Sequence, residues 1–218
     1  MTRKQQKDDT RERVRRAALE LFSSTGFEAT TTKAVAERAG VAVGTVFVHA
    51  SDKVDLLALV MHDVLHDALS QAFETLPKAA LEARLLHVFG SVFRAYGQVP
   101  RLAEPFVRTI ANATGPNGSK VNAFTFETLG RLAALVSEAQ HAGEIDENVP
   151  PLLLAQNVFA LYYFALTTWI SGYSTLETAL DPHLRLALEL QLRGLLKQPG
   201  PVAAGPVGAA VRPRRARA

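Results

Sequence analysis

The chain has no cysteine among its 218 residues, which excludes disulfides, thiolate metal ligands and cysteine nucleophiles. No run of alternating polar and apolar residues is long enough for a strand, so the expected fold class is all-α. There is no glycine-rich phosphate loop, no carboxylate pair at catalytic spacing and no Ser-His-Asp arrangement, so neither an enzyme nor a cofactor is expected. The longest apolar stretch, 158–170, contains Tyr162, Tyr163, Thr167 and Thr168 and falls short of the ~20 residues of a membrane span. Residues 1–30 lack the apolar core of a signal peptide. The expectation is therefore a soluble cytoplasmic protein with no membrane partner.

What is present is an uneven charge distribution. The net charge is only +3, but residues 1–53 hold 10 Lys/Arg against 7 Asp/Glu, residues 54–196 hold 9 against 14, and the last 22 hold 5 against none. A slightly acidic body thus lies between two basic ends, and basic ends favour contact with nucleic-acid phosphates.

Residues 31–53, TTKAVAERAGVAVGTVFVHASDK, carry the pattern of a helix-turn-helix. Ala36 is small enough for two helices to touch. Gly40, four positions on, can take the positive φ of a tight turn. Val35, Ala39, Val41 and Val46 supply apolar backing. With Val46 inward, a 3.6-residue period places Gly44 and Val48 outward and Thr45 and Phe47 on the flanks, so this face would enter a major groove. Val43, Gly44 and Val48 have no bidentate hydrogen-bonding group, and apolar side chains touch thymine methyls. The expected half-site is read through methyl contacts and DNA shape.

Thr31, Ala36, Ala39, Gly40, Val41, Gly44, Thr45, His49 and Lys53, with Leu19, Phe22, Gly26 and Phe27 upstream, resemble the TetR family of bacterial transcription regulators over about the first 60 residues. The resemblance implies an N-terminal three-helix DNA-binding domain and a C-terminal helical ligand-binding and dimerisation domain. It implies a homodimeric repressor of a palindromic double-stranded DNA operator, released by a small-molecule effector. The DNA-binding set is Thr31, Thr32, Lys33, Val43, Gly44, Thr45, Phe47, Val48, His49 and Lys53, with Thr45, His49 and Lys53 as phosphate anchors. Three positions depart from the family pattern. Phe47 stands where Tyr is usual, Ala42 where Ser often caps the recognition helix, and Ala50 where a bulky Phe packs.

The expected organisation is a disordered basic arm over 1–7, a DNA-binding domain over 8–53, a helical body over 54–197 and a disordered basic tail over 198–218. Arg3, Lys4 and Lys7 of the arm are placed to enter a minor groove. Helices are expected at 8–24, with Asp8 and Asp9 at its start, 32–39, 43–49 and 53–76, then at 79–97, 101–113, 119–142, 150–172 and 181–197. Pro77 and the stretches 97–100, 115–118, 143–148 and 172–175 punctuate them.

The helix over 150–172 is apolar around nearly its whole circumference, which demands burial on all sides. It and the leucine-rich last helix are the expected homodimer contact. By resemblance the middle helices form the effector pocket, with Phe89, Phe93, Arg94, Phe106, Ile110, Phe124, Tyr163 and Trp169 as lining. Phe126, Arg108 and Asn112 are further candidates. His62 and His66 share a helix face near Asp63, Asp67 and His87, but metal is not expected there. The alternative to a specific regulator is an architectural or nonspecific DNA-binding protein without an inducer.

Overall fold

The computed structural model describes residues 2–195. Among them all regular structure is helical. Helix α1, Arg3–Ser24, begins five residues earlier than the expected 8–24, because Thr2 and Gln5 form a reciprocal cap. The Thr2 hydroxyl accepts from the Gln5 backbone N–H, and the Gln5 side chain accepts from that of Thr2. Residues 3–7, expected as a disordered arm, are thus the first turns of α1. Their Arg, Lys and Gln are good helix formers, and a polar segment need not be an unstructured one. Asp8 and Asp9 consequently lie beyond the first turn, where Asp9 pairs with Arg13 at 3.5 Å.

Helices α2, Thr32–Ala39, and α3, Val43–His49, complete the head. Thr31 caps α2 by accepting from Ala34 N–H at 3.1 Å. Gly40 takes φ +64° between them, and Ala36, Ala39 and Val46 are buried at the crossing. Val14, Ala18, Phe22 and Phe27 fill the space behind.

Helix α4, Lys53–Glu74, continues into the body and packs on α1, α5, α6 and α7. Helices α5, Leu81–Gln98, α6, Pro100–Thr109, and α7, Pro116–His141, follow, with a tight turn at Ile110–Asn112 ending α6 short of the expected 113. Helix α8, Pro151–Ile170, packs mainly on α7. A short α9, Leu176–Thr178, comes before the expected last helix, 181–197, whose start falls in a kinked turn at Ala179–Leu184 and whose helical part is α10, Arg185–Arg193. Asp181, at φ −135° and ψ 118°, breaks the helix before Pro182. Residues 196–197 and the expected tail at 198–218 lie outside the described residues.

Two expectations for α8 need correction. At 20 residues it is long and apolar enough by length and composition to cross a membrane, because the leucines before 158 extend the apolar run. Nor is it buried all round within one chain. Leu154, Ala155, Val158, Tyr162, Ala165 and Leu166 face the core, while Leu152, Leu153 and Phe164 are exposed. One contiguous apolar core runs from Val14 in the head to Leu192 in α10, so head and body are not separated by a polar seam.

Candidate functional site

The head presents the outward face of α3 as the sequence period predicts. Val46 is fully buried, while Val43, Gly44, Phe47 and Val48 are exposed, Val48 at 65%. Thr45 is half-buried on the flank. Ala42 makes no side-chain cap to α3, and of the amides opening this helix that of Thr45 donates to the Ala42 carbonyl at 2.8 Å. Thr31 and Lys33 are exposed and Thr32 half-buried at the start of α2, and Lys33 lies 3.9 Å from Glu37.

Two expected phosphate anchors are engaged otherwise. Lys53 Nζ donates to the carbonyls of Phe27 and Glu28 at 3.0 and 3.1 Å and sits 4.5 Å over the Phe27 ring. It latches α4 to the turn before α2 and also lies 3.9 Å from the Glu28 carboxylate. His49 is buried, with 8% exposure. Burial, reinforced by the positive charges of Lys7 and Arg11, lowers its pKa below the ordinary histidine value, so it is neutral at pH 7. A neutral, enclosed imidazole is not the exposed cation that phosphate gripping favours.

Head and body are tied by polar contacts. Arg15 on α1 reaches Asp63 on α4 at 3.3 Å, and Arg101 on α6 donates to the Ser24 carbonyl at 2.6 Å, capping α1.

The body holds an apolar cavity of about 240 Å³ between α4, α5, α6, α7 and α8. Of the expected lining, Phe89, Phe106, Ile110, Phe124 and Tyr163 are present. Phe93 stands one layer behind, edge-on to Tyr162 at 5.9 Å. Trp169 packs on Tyr96 at 6.3 Å without reaching the cavity. Arg94 is exposed beside Gly90, and Phe126 is 72% exposed on the outside of α7. Arg108 and Asn112 line a separate polar hollow near Asp52 and Asp55, where Arg108 donates to the Ile170 carbonyl at 3.3 Å. The period of α5 and α8 finds Phe89 and Tyr163, but cannot say which side of a helix faces a void rather than packed core.

Sequence reasoning missed Tyr96, Tyr162, Asn122, Thr125 and Thr128, all of which line the cavity. The spacing of Val121, Thr125 and Thr128 along α7 was a legible signal. The Tyr96 and Tyr162 hydroxyls are hydrogen-bonded to each other and buried, and desolvation raises both pKa values, so both stay protonated. Tyr162 stacks on Phe89 at 4.8 Å. Among the described residues no charged side chain lines the cavity, which therefore offers an apolar volume with neutral hydrogen-bonding groups.

His62 and His66 stack on one another at 5.9 Å, and both pack against Phe124, at 5.6 and 5.4 Å. They support the cavity wall from α4. His87 is turned toward Thr75 at 3.1 Å, and among the described residues no group of three His, Asp or Glu is placed to hold a metal.

Residues 14–60 match the family model for bacterial regulatory proteins of the tetR family. This span begins within α1 and covers α2, α3 and the start of α4. The DNA-binding head is thus similar to that of the tetR-family regulators over these residues. Among its TetR-family relatives is the HTH-type transcriptional repressor KstR of Mycolicibacterium smegmatis, 29% identical over 88% of this chain and 90% of that protein. Another is the fatty acid metabolism regulator protein of Bacillus subtilis, 24% identical over 71% of this chain and 80% of that one. The fold is similar to that of Thermus thermophilus FadR, a TetR-family transcriptional repressor solved in complex with lauroyl-CoA. That match has a TM-score of 0.64 at 21% identity, over 89% of this chain and all of that one. With this head and these repressor relatives, the chain is a sequence-specific DNA-binding transcription regulator responsive to a ligand.

Proposed function

We propose that the chain is a homodimeric repressor whose α3 reads a palindromic operator and whose cavity binds an apolar, carbonyl-bearing effector that releases the DNA. The observation that carries this reading is the apolar cavity with a buried, protonated tyrosine pair. Phenolic hydroxyls suit a neutral acceptor such as a thioester or ketone carbonyl, and the uncharged walls disfavour a phosphate. A fatty acyl thioester fits if its chain lies inside and its nucleotide outside. The lauroyl-CoA bound by the T. thermophilus protein supports this class.

On the DNA side, Val43, Phe47 and Val48 contact base edges, and Gly44 allows close approach of the helix. Thr31, Thr32, Lys33, Thr45 and Lys53, once it exchanges the Glu28 carboxylate for a phosphate, meet phosphates. Lys7 and Arg11, one turn apart on α1 and close enough to act on His49, extend this set in place of a minor-groove arm. The exposed Leu152, Leu153 and Phe164 of α8 and Leu186 and Leu190 of α10 form the homodimer face, continuous across two helices. Such a regulator works in the cytoplasm, with its DNA. A nonspecific DNA packer would have no need of the cavity.

The test is selection of sites from a random DNA pool, followed by titration of the complex with lauroyl-CoA and with free CoA. A palindrome released by lauroyl-CoA alone is the expected result. A palindrome that neither compound releases rejects the acyl-thioester effector. No consensus, with binding lost at moderate salt, rejects the specific regulator.

A further inference from the structure

We infer that Asp55 and Asn117 are positioning residues that lock the C-terminal end of the recognition helix to α7, so that movement of α7 at the cavity is delivered to α3. The inference rests on the reading of α3 as the DNA helix and of the cavity as the effector site. Asp55, on the first turn of α4, is 1% exposed and Asn117 is 3% exposed. One carboxylate oxygen of Asp55 accepts from the Asn117 and Gly118 backbone N–H groups at 2.8 and 3.0 Å. These N–H groups belong to the first turn of α7, which lacks a side-chain cap of its own. Asp55 therefore caps α7 from another helix.

The second carboxylate oxygen accepts from Ser51 N–H at 3.0 Å and from the Asn117 side-chain amide at 3.0 Å. That same amide donates to the carbonyl of His49, the last residue of α3, at 2.8 Å. Three helices thus meet at one carboxylate and one amide, and the Asn117 amide holds the last carbonyl of the recognition helix.

The local sequence GPNG is built for this approach. A Cβ on Gly115 would lie 2.2 Å from Asp55 Cγ, and one on Gly118 would lie 2.7 Å from the Ala113 Cβ. Either would push the start of α7 off the carboxylate. Two to three turns further along the same helix, about 12–16 Å by helical rise, Thr125 and Thr128 line the cavity with Val121 and Phe124. A ligand that displaces this stretch displaces Asn117, and the buried, fully satisfied network cannot yield without leaving donors unpaired.

The test is hydrogen–deuterium exchange of the full chain, read at residues 45–50, in a double-mutant cycle. Thr125→Phe fills the cavity and stands in for an effector, so neither the operator nor the natural ligand need be known. We expect Thr125→Phe to change exchange at 45–50 by about fivefold or more, the scale of a typical coupling energy. In an Asn117→Ala background the change should fall below about twofold, the limit of simple additivity. An equal response in both backgrounds overturns the proposal, since coupling would then run through α4. No response in either background also overturns it. If Asn117→Ala fails to fold, Gly115→Ala breaks the same contact and the same outcomes apply. Because DNA and effector are absent, failure here is distinct from failure of the operator or effector assignment.

Discussion

Arg15 of α1 and Asp63 of α4 meet at 3.3 Å, and the same guanidinium grips Glu12 with two hydrogen bonds of 2.7 Å. The Arg15 contact holds Glu12 down at about 2, and a hydrogen bond from His62 lowers Asp63. Both carboxylates therefore favour the folded state above their ordinary pKa values near 4, and that contribution is lost as pH falls toward 2. In melts between pH 2 and 6, Arg15→Met is expected to flatten this slope. The loss near neutrality should be small, about 0.2–1 kcal/mol for each partly exposed pair.

His49 titrates in a different window for a related reason. Its folded pKa lies below the ordinary 6.5 through burial and then through Lys7 and Arg11, so the unfolded chain binds its proton first. The stability it contributes is complete above about pH 6.5 and is lost as pH falls through the lowered folded value. His49→Gln should remove the part of the stability decline between pH 7 and 5 that belongs to this residue, as read by denaturant titration at each pH.

The head was legible because its signals are local. Ala36, Gly40 and Val46 state a helix crossing within eleven residues, and the bounds of α2 and α3 follow from them and from the Thr31 cap. The fates of His49 and Lys53 were not legible, since they depend on Asn117, 68 positions away, and on the carbonyls of Phe27 and Glu28. In the body, periodicity finds apolar faces but not the space between them. Phe93 and Trp169 carry the same signal as Phe89, yet only Phe89 reaches the cavity. The break at Asp181 was legible in the following Pro182 and was overridden by the leucine pattern.

Lys7 and Arg11 should behave as phosphate contacts. Replacing either by Ala is expected to weaken operator binding similarly for matched and mismatched sites, and to reduce the slope of log affinity against log salt by about 0.9. Fluorescence anisotropy at several salt concentrations reads both effects.

The proposed homodimer face predicts that Phe164→Asp converts the protein to monomers. Phe164 is 68% exposed in the single chain, so the change costs little folding stability while burying a charge in any dimer. Sedimentation velocity should show the halved mass, with the melting curve of the monomer still cooperative.

Tyr162→Phe removes one hydroxyl of the buried pair and leaves the ring stacked on Phe89. The expected loss is about 0.5–1.5 kcal/mol of affinity for a carbonyl-bearing effector, roughly two- to tenfold. Calorimetry with lauroyl-CoA checks this, and an unchanged affinity would place the carbonyl elsewhere.

The exposed Val48 and Phe47 side chains on α3 have a consequence for the chemistry of the DNA itself. A protein surface that senses a methyl group in the major groove, rather than a donor and acceptor pattern, responds to the methyl attached to C5 of a pyrimidine. Thymine and 5-methylcytosine both carry that methyl, whereas uracil and cytosine lack it. Epigenetic methylation of a cytosine facing Val48 would then strengthen the contact, and replacing a facing thymine by uracil would weaken it. The operator would carry a second layer of information, written after replication.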